Sequence, residues 1–122
     1  MREIVDDLKI LNAFMKNYLE QEKIQYESML RKKQAQYTTI SKKISVILET
    51  MIEDISQIFL KKQSLTQQEQ EIVQHLIKIR SENQKLKDFP EKSFHSEEEM
   101  LQYLRKHIRN IQQEIQAIKK LS

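Results

Sequence analysis

The sequence contains no glycine, no cysteine and no tryptophan, and only one proline in 122 residues. Glycine reaches positive φ without steric cost, so hairpin turns, phosphate-binding loops and nucleophile elbows all lose the residue that usually enables them. The absence of cysteine excludes disulfides and thiolate metal sites, and it fits a reducing compartment. We therefore set aside nucleotide enzymes and all-β folds, and we expect a cytoplasmic protein.

Long hydrophobic runs are also lacking. The most apolar stretch, residues 44–52, is interrupted by Ser45, Glu49 and Thr50 and is far shorter than the roughly 20 residues needed to cross a bilayer. Charged residues stand among the apolar ones in residues 1–11, so no continuous apolar core of a secretion signal is present there. The sequence predicts neither a membrane span nor a signal peptide.

The composition is polar for a folded domain. Apolar residues make up 39% and charged residues 32% of the chain, against typical values of about 45–50% and about 25%. This balance fits an elongated helical molecule in which a thin apolar seam is surrounded by a large polar surface. The net charge of +3 is too weak to call for nucleic acid.

Apolar residues recur at steps of three and four through the first half of the chain, the spacing of one helical face. This pattern predicts a helix over residues 3–61, roughly 90 Å long at 1.5 Å per residue. The segment 36–41, Q-Y-T-T-I-S, holds hydroxyl side chains that compete for backbone hydrogen bonds, so two shorter helices with a corner near Thr38 are an alternative. The seam consists of Ile4, Leu8, Leu11, Met15 and Tyr18, followed by Tyr37, Ile40, Ile44, Ile47, Met51, Ile55 and Ile58.

Two further helices are predicted over residues 66–87 and 96–121. Thr66 with Glu69, and Ser96 with Glu99, have the capping-box form that marks a helix start. The only proline, Pro90, lies in the connector between these helices. Short connectors permit chain reversal, so we expect an all-α antiparallel helical bundle or coiled-coil hairpin of three or four long helices, in a single domain over residues 1–122.

Nothing in the sequence predicts catalysis. His75, His95 and His107 are too far apart to form a helical metal pair, and the acidic run 97–99 is explained by its place in the first turn of a helix. We expect no enzyme activity, no catalytic residue, no metal, no cofactor and no small-molecule substrate. The basic groups at residues 31–33 and 105–109 could contact phosphate, but solvated helix faces account for them, and the sequence does not favour nucleic acid.

The last helix carries the cleanest heptad seam. Its apolar residues form either the core of the bundle or a surface that binds an amphipathic helix of a protein partner. An unbroken first helix would extend beyond its neighbours, and self-association as a homo-oligomer or binding to another protein would then be expected. The candidate partner-binding residues are Leu101, Leu104, Ile108, Ile111, Ile115 and Ile118.

In layout the chain resembles the FlgN-type flagellar or type III export chaperones. The likeness rests on the long amphipathic opening, on the L-T-x-x-E-x-x-I-V-x-x-L pattern of residues 65–76, and on the N-x-x-L pattern of residues 83–86 before a final helix. The resemblance implies a small cytoplasmic all-helical protein whose C-terminal helical region holds an amphipathic helix of a secreted partner. The competing hypothesis is a coiled-coil structural or scaffold subunit whose seams are completed by neighbours in a larger assembly.

Overall fold

The computed structural model describes residues 1–121. Within that range the chain forms three α-helices and no strand: α1 is Arg2–Leu60, α2 is Gln67–Asp88 and α3 is Glu97–Leu121. A single 3-10 turn, Phe89–Glu91, follows α2 directly. The all-α prediction is confirmed, with three helices. None of the helices in residues 1–121 combines the length and the apolar character needed to cross a membrane.

Helix α1 continues unbroken through the segment that was a candidate corner. Ser41 Oγ donates to the Thr38 carbonyl at 3.1 Å, and Thr39 Oγ1 donates to the Ala35 carbonyl at 3.4 Å. These hydroxyls bond to carbonyls of the preceding turn, so they are satisfied without leaving the helix. Of the two alternatives, the single helix of 59 residues is the one present.

The starts of α2 and α3 follow the capping signals. Thr66 Oγ1 accepts the Glu69 amide at 3.1 Å while Glu69 Oε1 accepts the Thr66 amide at 3.0 Å. Lys62 also donates to the Glu69 carboxylate, and these donors hold the pKa of Glu69 below its ordinary value. At α3, Ser96 Oγ accepts the Glu99 amide at 3.2 Å, but the Glu99 carboxylate accepts the His95 amide rather than that of Ser96. Both connectors are therefore fixed by local bonds.

The three helices pack unequally. Helices α2 and α3 form a closely packed antiparallel hairpin, the second half of α1 lies against α2, and α3 contacts α1 least. Only residues between 30 and 111 enter the core, and Leu86, Phe89 and Met100 are completely buried. The buried apolar residues are Leu30, Leu76, Ile79, Leu86, Phe89, Met100, Leu104 and Ile111.

The first half of α1 extends beyond the bundle. Every residue from Met1 to Met29 is exposed, and burial begins at Leu30. The Tyr26 hydroxyl donates to the His95 carbonyl at 2.8 Å and marks the edge of the bundle. We call residues 1–29 the extension and residues 30–60 the bundle segment of α1. The extension carries four basic and six acidic residues, a net charge of −2, which leaves +5 on the rest of the chain.

Candidate interaction surface

The six residues predicted to bind a partner lie on the inner side of α3. Leu104 and Ile111 are buried, and the other four are half-buried. Ile108, Ile115 and Ile118 pack against the core cluster. In this arrangement the α3 seam closes the bundle. Binding of a partner to α3 stays a prediction, and a partner helix would contact only the exposed edge of this seam.

A series of polar contacts joins α3 to α2 in antiparallel register. At one end Gln68 Nε2 donates to the Leu121 carbonyl at 2.7 Å, and His75 Nδ1 lies 2.5 Å from Glu114 Oε2. At the other end the Tyr103 hydroxyl donates to the Lys85 carbonyl at 2.7 Å. Burial raises the pKa of that tyrosine above its ordinary value. The hairpin is thus held along its whole length.

The most buried of these contacts involves His107. Its Nδ1 lies 2.5 Å from Glu82 Oε2, and Asn110 Nδ2 donates to the other oxygen of the same carboxylate at 3.2 Å. The imidazole also packs edge-on against the Tyr103 ring, with centroids 4.5 Å apart. Phe89 and Phe94 extend this aromatic cluster, so the connector after α2 is anchored to α3.

The same connector is fixed to α1. Gln34 Nε2 donates to the carbonyls of Phe89 at 3.0 Å, Pro90 at 3.4 Å and Lys92 at 2.8 Å. The Tyr37 hydroxyl donates to Glu97 Oε1 at 2.6 Å, and this bond raises the pKa of Tyr37 above its ordinary value. These bonds attach both ends of the proline-containing connector to the bundle segment, and they oppose any outward swing of α3.

The large exposed apolar surface lies on α1. Nine of its residues fall on one helical face, because the distance from Tyr18 to Ile40 is 22 residues, about six turns. Other exposed apolar residues of α1, such as Ile10 and Ile24, lie on other faces. Each of the nine is between 48% and 60% exposed. We call this set the α1 stripe: Ile4, Leu8, Leu11, Met15 and Tyr18 in the extension, and Ile40, Ile47, Met51 and Ile58 in the bundle segment.

The α1 stripe continues sideways onto α3. Leu101, Ile108 and Ile115 share a helical face with Glu97, since they follow it by about one, three and five turns, and Glu97 bonds Tyr37 of α1. All three are half-buried. On α1, Ile44 and Ile55 pack against the core beside the exposed Ile47 and Met51. We call this shared edge the α1–α3 seam.

Sequence periodicity places the residues of the α1 stripe in the seam of the helix, together with positions that are half-buried. The bundle instead uses a rotated set that includes Leu48, Ile52 and Phe59. The sequence contained a signal for the exposed stripe. The stripe and the half-buried residues together form an apolar face on α1 that is wider than one neighbouring helix covers. Four exposed residues of the bundle segment were placed in the apolar seam but not among the candidate partner-binding residues: Ile40, Ile47, Met51 and Ile58.

A second surface feature lies between α1 and α2. A cleft of about 610 Å³ between α1 and α2 is lined by side chains of both charge signs, among them Glu53 and Arg80. Asn83 borders it, donates to the Ser45 carbonyl at 3.3 Å, and has no hydrogen-bond partner for Oδ1 among the described residues. No group of three or more potential metal-ligating side chains occurs within residues 1–121.

Comparison with protein-family models, with curated proteins and with solved structures finds no match to this chain.

Proposed function

We propose that this is a non-catalytic protein-binding helical protein that packs its α1 stripe and α1–α3 seam against an amphipathic helix of another chain. The observation that carries the proposal is the apolar stripe left uncovered in two stretches of α1, residues 4–18 and 40–58. Exposed apolar surface of this extent on a small protein marks an interaction surface. Its helical spacing and its length fit a second helix lying along it.

The shape of the chain supports the same proposal. Helix stability in proteins comes mainly from packing of an apolar face rather than from intrinsic propensity. The extension has the apolar face, but all of its residues are exposed, and among the described residues its hydrogen bond to the bundle is the one from Tyr26. A partner helix would supply the missing packing.

We further propose, as the finer hypothesis, an export chaperone of the FlgN type that holds an amphipathic helix of a secreted substrate. It is supported by the layout resemblance and by the half-buried apolar edge of α3, where Leu101, Ile108 and Ile115 would form the floor beneath such a helix. The alternative, a scaffold subunit of a larger assembly, is supported by the length of the stripe, which exceeds what one short segment would cover.

Two substitutions on the stripe test the proposal. We expect Ile47→Asp combined with Met51→Asp to abolish capture of the partner from the source organism, because two carboxylates would be buried against an apolar helix. The thermal melting of the protein should change little, since both side chains are exposed. Val46→Asp is the matched control: Val46 is also an exposed apolar residue of α1, but it points away from the stripe.

The captured protein distinguishes the two hypotheses. Recovery of a secreted protein through a helical segment supports the chaperone, whereas recovery of a fixed stoichiometric complex supports the scaffold subunit. Partner binding that survives the double substitution, or is lost equally in Val46→Asp, would contradict the proposed surface.

A further inference from the structure

We infer that two copies of this chain form a reciprocal antiparallel dimer in which the extension of each lies along the α1–α3 seam of the other. The inference rests on the proposed function and names a second copy as the chain that covers the stripe. Four independent observations point to this occupant: residue spacing, charge, helix direction and surface area.

Four apolar residues of the extension and four of the bundle segment, the half-buried Ile44 among them, have mirrored spacing. In the extension, Ile4, Leu11, Met15 and Tyr18 are separated by seven, four and three residues. In the bundle segment, read backwards, Ile58, Met51, Ile47 and Ile44 are separated by the same seven, four and three residues. Two copies of α1 in antiparallel orientation therefore bring each of these apolar residues opposite another, as knobs-into-holes packing requires. Leu8 and Ile40 of the stripe do not take part, since in this register they lie opposite Asp54 and Glu22.

The two parts of the chain carry opposite net charges. The extension has a net charge of −2 and the remainder of the chain carries +5. Opposite net charges favour the encounter of the extension with the remainder of a second copy.

The extension of the second copy has the direction that a regular four-helix bundle requires. Helices α1 and α3 run the same way, since each is antiparallel to α2, and they contact each other least. An antiparallel four-helix bundle needs a helix of opposite direction between them, on the side away from α2. The second copy's extension, antiparallel to α1, has that direction. Each half of the dimer is then a four-helix bundle with one helix from the other chain.

The exposed area is sufficient for such a dimer. A compact monomer of 14.8 kDa exposes about 7,000 Å², whereas this chain exposes 9853 Å². The excess is several times the roughly 800 Å² per partner that a standard stable interface buries. Covering the stripe on both copies removes much of the excess.

Other pairings of two copies fit less well. Parallel pairing of the extensions would place Glu22 of one copy beside Glu22 of the other, since Glu22 lies on the face of Ile4, five turns away. Antiparallel pairing of the extensions alone would leave Ile40, Ile47, Met51 and Ile58 exposed on both copies.

Cysteine cross-linking of the full-length protein tests the register, because the natural chain contains no cysteine. Under mild oxidation we expect the double variant Met15→Cys with Ile47→Cys to form a covalent dimer in high yield. An equimolar mixture of the two single variants should give a cross-linked heterodimer, and each single variant alone should give at least tenfold less. These positions are roughly 48 Å apart along one helix, far beyond disulfide reach, so any link between them joins two chains.

Each other outcome overturns the inference. Strong cross-linking of the Met15→Cys single variant indicates parallel pairing. A link between the Leu11→Cys and Met15→Cys variants, with no link to the Ile47→Cys variant, indicates pairing of the extensions alone. Replacing Ile47→Cys by Val46→Cys should abolish the link. A monomeric mass by light scattering at tens of micromolar would refute the dimer while leaving partner capture intact. A protein that is dimeric by light scattering but captures no other protein while its cysteines are reduced would instead refute the heterologous partner.

Discussion

Buried polar side chains decide how the helices of this bundle meet. Four are almost completely enclosed: Ser41, Ser45, Asn83 and His107. A buried polar group is costly unless it is hydrogen-bonded, so Asn83 and His107, whose bonds cross between helices, favour the arrangement that supplies their partners, whereas Ser41 bonds within its own helix. The Asn83 side chain reaches the Ser45 carbonyl of α1, and His107 of α3 reaches Glu82 of α2. These bonds tie each outer helix to α2.

His107→Ala should lower the free energy of unfolding by about 2 kcal/mol, because it removes a buried ring and leaves the Glu82 carboxylate with only one protein donor. His75→Ala is the matched comparison, since the same kind of contact to Glu114 crosses the same two helices but the His75 side chain is 24% exposed, against 9% for His107. For His75→Ala we expect a loss of about 1 kcal/mol or less.

Urea denaturation followed by circular dichroism measures both losses. Equal losses in the two variants would show that burial does not distinguish the contacts. A larger loss for His75→Ala would place the critical link at the other end of the hairpin.

At the scale of the helices, boundaries were predictable and neighbours were not. The starts of α2 and α3 follow from Thr66 and Ser96, because capping is a local interaction between residues close in sequence. The continuity of α1 was left open, since hydroxyl side chains support either a turn or bonds to the preceding helical turn. Which of these forms depends on packing, and Ser41 is buried against the bundle.

The exposed stripe could not be assigned from periodicity alone. Spacing identifies residues that share a helical face, such as Ile40, Ile47 and Met51, but it does not say which of two adjacent faces a neighbouring helix covers. The structure covers the face of Leu48 and leaves that of Ile47 exposed. The heptad spacing of α3 was also predictable, because it is a pattern of residues close in sequence. The extent to which those residues are buried depends on α1 and α2.

Ser41 supplies a test of this packing. We expect Ser41→Leu to destabilise the protein by about 1–3 kcal/mol, because the added side chain must enter a fully packed contact. Ser41→Ala should be tolerated within about 1 kcal/mol, as it adds no volume and removes only a hydrogen bond within its own helix. Thr39→Leu, at an exposed position two residues away, should be close to neutral.

Thermal melting of these three variants gives the comparison. Tolerance of Ser41→Leu would mean that α1 is not held closely against the bundle at this point. A break of α1 at residues 36–41 in solution would then become the better description.

At the scale of the whole molecule, the chain divides into a packed part and an uncovered part. Residues 30–121 hold the core, the aromatic cluster and the contacts between helices, whereas residues 1–29 contribute no buried side chain. Opening free energies within a protein follow this kind of difference in buried contacts. In the proposed dimer the stability of the extension depends on the second chain, so it should depend on protein concentration while that of the α2–α3 hairpin does not.

Hydrogen–deuterium exchange of the full-length protein measures this difference region by region. We expect amides of residues 6–25 to be protected at high concentration and to lose most of that protection on dilution, because helix stability in proteins comes mainly from packing of an apolar face. Amides in the middle of α2 and α3 should exchange at the same rate throughout. Leu11→Asp, which places a carboxylate in the centre of the covered stripe, should leave the extension unprotected at every concentration. Protection of residues 6–25 that survives both dilution and this substitution would show that the extension is stable alone. Stabilisation of the extension would then no longer favour formation of the antiparallel dimer.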